Sequence, residues 1–154
     1  MPKIVVTSKR MFPEWVKKTQ GSGELWAYIS IEGTEDLVKA RLISDNIHFL
    51  PSSPDVLNLE FDDVEKYQEH VWKGKTYKAY PPSEEQARQI IDFAKGHQEY
   101  NLLIHCYAGR SRSVGVAQGL LDMFPEAWVL SEESNPLLTP NMEVLRLLHR
   151  VGWE

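Results

Sequence analysis

LLIHCYAGRSRSVGVAQGLL, from Leu102 to Leu121, holds the chain's single cysteine, Cys106. Leu102 to Ile104 are apolar without alternation, the pattern of a strand buried on both faces, and the strand ends on His105 and Cys106. From Ser113 to Phe124 the run SVGVAQGLLDMF is apolar nearly all round. Gln118 and Asp122 are its only strongly polar residues, so it predicts a buried helix. Gly115 and Gly119 lie four apart on one face of that helix, where a neighbouring element can come close. A strand joined to a helix by a short glycine-containing turn is one unit of a parallel sheet, and ligands of such sheets bind beyond the carboxyl ends of the strands. His105 and Cys106 stand at such an end.

The same alternation continues outward from this unit. KIVVTS (Lys3–Ser8), LWAYISI (Leu25–Ile31) and VLNLEF (Val56–Phe61) read as strands, the last stopping at Asp62 and Asp63. PPSEEQARQIIDFAKG reads as a helix. Ser83 and Gln86 have capping-box spacing, Ala87, Ile90, Ile91 and Ala94 form one apolar face, and Gly96 follows as a stop. A last helix is expected to start at Thr139-Pro140 and run to about Arg150. Together these elements predict an α/β fold, a single domain over residues 1–154 with a central, mostly parallel sheet flanked by helices. Residues 64–82 mix Lys66, Lys73, Lys75 and Lys78 with Tyr67, Trp72, Tyr77 and Tyr80. That composition fits a flap or hairpin near Asp63, or an exposed connection with its aromatics tucked into the core. Trp15, Trp26, Trp128 and Trp153 read as packing residues.

Composition narrows the function. The net charge of −5 argues against a general nucleic-acid binder, which carries a basic face, but leaves room for local positive potential around a small anion. A lone cysteine forms no internal disulfide, and a free thiol suits a reducing compartment. No apolar run approaches the ~20 residues of a membrane span, and the apolar core near the N-terminus is too short for a signal peptide. The expectation is a cytoplasmic protein without a membrane partner. His48, His70, His97, His105 and His149 are scattered and no C-x-x-C occurs, so neither a metal site nor a cofactor is expected.

The loop has a definite chemistry. A turn through Tyr107, Ala108, Gly109, Arg110 and Ser111 can aim successive backbone N–H groups inward as an anion nest. The helix that follows adds its unpaired N-terminal donors. Arg112 supplies a fork of donors matching two oxygens of a phosphate. A thiol at the base of such a ring ionises readily, within the ~3.5–7.5 range of activated cysteines, and a thiolate facing phosphorus is a nucleophile in place. Most lone cysteines are small core residues. The coincidence of H-C-x-x-G-x-x-R-S with a strand-to-helix turn favours catalysis.

HCYAGRSRS (His105–Ser113) resembles the Cys-x5-Arg-Ser/Thr signature of the cysteine-based protein tyrosine phosphatases. The chain's length and its lack of a Trp-Pro-Asp loop look like the compact dual-specificity branch, similar to its small bacterial and viral members. The likeness is good over roughly residues 56–124 and loose over the first third. It implies that fold, Cys106 as nucleophile and Arg112 as phosphoryl-binding arginine. It further implies Tyr107, Ala108, Gly109, Arg110, Ser111, Arg112 and Ser113 as the substrate-binding loop, and a phosphocysteine intermediate. His105 would order the loop. Ser113 would assist the departing thiolate or serve only as the helix cap.

One carboxylic acid gives and then takes a proton in that chemistry. Asp62 and Asp63 are the candidates, 44 and 43 residues before Cys106. That separation is longer than the family's, so an insertion, VWKGKTYKAY, is implied. Matching the strand VLNLEF puts the acid on Asp63, with Asp62 second; Asp55 and Asp92 are poorer candidates. The partner implied is a phosphorylated protein or peptide carrying phosphotyrosine, with phosphoserine or phosphothreonine also considered. RNA 5′-triphosphate and phosphoinositide are alternatives. The loop lacks the extra lysines of many lipid-directed members, and the acidic balance gives no support for nucleic acid.

Overall fold

A computed structural model describes residues 1–34 and 47–153. Along the chain it forms β1 (Lys3–Ser8), α1 (Phe12–Gln20), β2 (Trp26–Glu32), β3 (Val56–Glu60), β4 (Gln68–Trp72) and β5 (Lys75–Ala79). There follow α2 (Glu84–Lys95), β6 (Asn101–Cys106), α3 (Arg112–Met123), β7 (Val129–Leu130) and α4 (Met142–Gly152). Five strands make one sheet in the order β3-β2-β6-β1-β7, and every ladder in it is parallel. The α/β class and the sheet flanked by helices are therefore as expected. No helix among the described residues is long and apolar enough to cross a membrane.

β6 is central, and all six of its residues are buried. Successive side chains alternate between faces. Leu102, Ile104 and Cys106 join the larger core with α2, α3 and α4, while Leu103 meets Val5, Tyr28 and the α1 residues Phe12 and Val16. Covering by helices on both sides explains why β6 is apolar without a break from Leu102 to Ile104. Gly115 and Gly119 serve the close approach read from their spacing. A Cβ on Gly119 would lie 2.6 Å from Leu148 Cδ1, and one on Gly115 2.9 Å from the Asn141 carbonyl oxygen.

α2 begins with the expected capping box between Ser83 and Gln86. The last helix begins later than Thr139-Pro140. Its cap is Asn141, whose side-chain oxygen accepts the N–H groups of Glu143 and Val144, both at 3.1 Å. Thr139 is committed elsewhere, donating its hydroxyl to the Arg110 carbonyl at 2.9 Å. Trp26 and Trp128 are core residues and Trp15 is partly buried against the α1 cluster. Trp153 is a correction: it is 74% exposed, lying past Val151, the last buried residue of the α4 apolar face.

Residues 64–82 contain an antiparallel hairpin, β4 with β5. Its turn, Lys73-Gly74, has φ of +50° and +75°, the double left-handed step that matches strand twist in a two-residue hairpin. Tyr67 and Tyr80 are not tucked into the core; they are 45% and 43% exposed and face each other at 5.4 Å. The hairpin is rooted at the end of β3. The Asp62 N–H donates to the Tyr80 carbonyl and the Tyr80 N–H to Asp62 Oδ2, each at 2.8 Å.

Candidate active site

The loop leaving β6 is held open from outside. His105 Nδ1 donates to the Cys106 carbonyl at 3.0 Å, and the Lys9 N–H donates to the Tyr107 carbonyl at 2.9 Å. Asn135 Nδ2 donates to the carbonyls of Ala108 and Gly109 at 3.4 and 3.1 Å. Thr139 Oγ1 donates to the Arg110 carbonyl, and the N–H groups of Asn141 and Gly115 to that of Ser111. Six successive carbonyls thus face donors outside the ring. Since N–H and C=O of a peptide point opposite ways, this turns the amides of the loop inward.

Gly109 makes the turn possible. Its φ is +69°, and a Cβ there would lie 2.5 Å from the Thr7 carbonyl oxygen and 2.5 Å from Asn135 Nδ2. Gly109→Ala is expected to cost about 2–4 kcal/mol, the sum of a left-handed residue and an overpacked contact against backbone. Chemical denaturation measures it; a loss below about 0.5 kcal/mol, the size of an ordinary surface change, refutes the steric account.

Cys106 lies at the base of the ring, 2% exposed. Burial pushes its thiol up, but the Arg112 guanidinium, the Ser113 hydroxyl and the amides of Ser113 and Ser111 together outweigh burial, and the net shift is downward. Ser113 Oγ is 3.1 Å from the sulfur. Ser111, not Ser113, is the cap residue of α3. This leaves the Ser113 hydroxyl for the sulfur, and the Ser111 hydroxyl makes no capping bond at all.

Arg112 is the first residue of α3 and 6% exposed. Its Nη1 donates to the Phe61 carbonyl at 2.9 Å, while its Nε is buried with no hydrogen-bond partner among the described residues. A buried guanidinium donor without an acceptor is costly unless an anion completes it. Arg110, Tyr107 and Ala108 are exposed and form the rim of the loop.

Three consecutive residues at the end of β3 divide the work. Phe61 orients Arg112. Asp62 is 1% exposed, and its oxygens accept from the Thr34 N–H, the Thr34 hydroxyl and the Tyr80 N–H at 2.6–2.8 Å, which makes it a structural anchor. Asp63 is exposed and meets the loop: its Oδ1 accepts from Ser111 Oγ at 2.7 Å and from Asn141 Nδ2 at 3.0 Å. Oδ2 has no partner among the described residues. Asp55 is instead bonded to His97 Nε2, and Asp92 is an exposed residue of α2.

His105 Nδ1 faces a carbonyl, which can only accept, so in the neutral ring Nδ1 carries the hydrogen. Nε2 then accepts from Ser30 Oγ at 2.7 Å, and Ser30 Oγ accepts from His48 Nδ1 at 2.8 Å. Burial holds the His105 imidazole down to about 4 from 6.5, with His48, Lys9 and Arg112 adding to it against the opposing Cys106 carbonyl. A base whose folded value is depressed destabilises the fold only where the unfolded chain binds the extra proton. Stability is therefore full above about 6.5 and falls as pH drops towards 4, by about 3 kcal/mol for this residue. Denaturant midpoints between pH 7 and pH 4 should show that loss, and His105→Gln should flatten it. An equal acid loss in the variant refutes the assignment.

Asn135 and Asn141, which sequence reading left unassigned, and Thr139, read there only as a helix start, hold this geometry. Asn141 is 3% exposed and caps α4 while donating to Asp63. Their signal was positional: a polar stretch between the short edge strand and the last helix belongs to the same sheet end as the loop.

No protein-family model and no curated protein matches the chain. Among solved structures it is similar to the crystal structure of PTPMT1 in complex with PI(5)P. That similarity is at 12% identity over 97% of this chain and 92% of the other, with a TM-score of 0.47. What the site can do follows from its own geometry.

Proposed function

We propose that the chain is a cysteine-dependent phosphomonoesterase of the protein tyrosine phosphatase type, hydrolysing phosphotyrosine in protein substrates and phosphoserine or phosphothreonine more slowly. One observation carries this reading: six outward-bonded carbonyls and a buried guanidinium nitrogen with no partner among the described residues surround a thiol whose ionisation is favoured. Tetrahedral dianions fit inward amides and a forked cation better than any neutral ligand does.

In the first step Cys106 Sγ attacks phosphorus and the ester P–O bond breaks. Asp63 gives its proton to the departing oxygen. Arg112 and the loop amides hold the equatorial oxygens, where charge gathers in the transition state. In the second step water attacks the phosphocysteine, Asp63 takes the proton, and the Ser113 hydroxyl donates to the sulfur as it leaves as thiolate. The recessed sulfur supports aryl over alkyl esters, since a flat ring carries phosphate deeper than a short side chain does. The need for a reduced thiol supports a cytoplasmic setting.

The test is hydrolysis of an aryl phosphate. Turnover is expected to persist in EDTA, to be competed by vanadate, and to yield a labelled phosphocysteine on rapid acid quench of the ³²P-ester. Turnover that EDTA abolishes, with no label on Cys106, overturns the proposal.

A further inference from the structure

The β4–β5 hairpin stands outside the main sheet, and the mechanism above makes no use of it. A two-stranded hairpin is marginal alone in water. This one covers little: Val71 is 74% exposed, Lys75, Thr76 and Lys78 are exposed, and Ala79 is its one fully buried residue among those described. The outer edges of the pair carry no third strand among the described residues, so their backbone groups offer a template for an extended chain. Its charge departs from that of the molecule. Across residues 64–80, Lys66, Lys73, Lys75 and Lys78 stand against Glu65 and Glu69, a net +2 in a chain of net −5. Its root is Asp62, next to Asp63.

Resting on the phosphatase reading, we infer that the hairpin is a docking surface for the substrate: an extended, acidic segment of the phosphoprotein pairs along an outer edge of it, with its carboxylates beside the hairpin lysines. The floor between the hairpin and the loop selects this occupant. There a cleft of about 770 Å³ is lined by Asp63, Glu65 and Glu143 against Lys66. A polyphosphate chain running from loop to hairpin would cross those carboxylates. A peptide presents neutral backbone over the cleft and brings its acidic side chains to the lysines beyond. Five strand residues span roughly 17 Å, which puts the favoured carboxylates several positions from the phosphorylated residue. Exposed charges of this kind act on encounter and KM, and weaken with salt.

The experiment uses the whole chain, an aryl phosphate, and two phosphotyrosine peptides. The peptides are identical except for glutamates or lysines four to six positions from the phosphotyrosine. The wild type should prefer the acidic peptide about tenfold in kcat/KM at low salt, through KM, and less at 0.5 M salt. Lys75→Glu/Lys78→Glu should erase or invert the preference, with aryl phosphate turnover unchanged within twofold. Equal use of the two peptides while the aryl phosphate is turned over overturns the docking surface alone. Hairpin-dependent binding of an RNA oligonucleotide or of anionic vesicles, without peptide discrimination, overturns it in favour of that partner. No turnover of the aryl phosphate overturns the functional reading, and the docking surface with it.

Discussion

Cys106→Ser is expected to lower turnover of an aryl phosphate by at least about 10,000-fold, because the proposed chemistry would lose its nucleophile. A serine hydroxyl beside Arg112 and Ser113 remains protonated at neutral pH and has no base positioned to take its proton. The cradle is untouched, since its amides, the guanidinium and the outward carbonyl bonds belong to other atoms. Binding of a phosphotyrosine peptide, read by calorimetry, should therefore stay within a few-fold of wild type. In the wild type, activity should persist at pH values where an ordinary thiol is protonated, since Arg112, Ser113 and the two amides hold the Cys106 thiol below its usual value despite burial. On the acid side the rate falls as the thiolate takes up a proton, so that limb of kcat/KM lies below the ordinary thiol value of ~8.5. A serine variant with more than a hundredth of wild-type turnover contradicts nucleophilic catalysis by this residue.

Asp63→Asn should separate substrates by their leaving groups. For an alkyl phosphate the departing oxygen needs a proton, and loss of a general acid costs about 100- to 10,000-fold in kcat. For an activated aryl phosphate the first step needs little help, and the loss should be at least tenfold smaller. Asparagine keeps an oxygen for the Ser111 hydroxyl and Asn141 amide donors, so the loop should hold its shape and KM should change little. Asp62→Asn is the control with the opposite expectation. Asp62 is buried and accepts three hydrogen bonds, so the substitution should lower stability while sparing leaving-group discrimination. If discrimination appears at position 62 instead, the acid is misassigned by one residue.

Legibility followed the range of the interactions. The β6–loop–α3 unit was readable because its signals are local: an unbroken apolar strand, a glycine at a turn that needs positive φ, and an apolar helix. The capping box of α2 is likewise contained within four residues. The start of α4 was misplaced because Thr139-Pro140 looks like a cap locally. Only the contact between Thr139 and Arg110, 29 positions apart, shows that this hydroxyl is already used. α1 gave little warning, being nine residues with three buried side chains.

For the site, the sequence alone determined which groups are present: a single thiol, an arginine six residues on, a hydroxyl after it, and two carboxylates at a strand end. The fold decided which carboxylate meets the loop, because Asp62 and Asp63 are chemically equivalent until Thr34 and Tyr80 close around the one and Ser111 and Asn141 meet the other. It also decided that the loop amides face inward, since that orientation is set by donors on Lys9, Asn135, Thr139 and Asn141, none of which belongs to the motif. Chemical identity is carried by each residue, whereas hydrogen-bond direction and burial are properties of pairs that only the folded chain brings together.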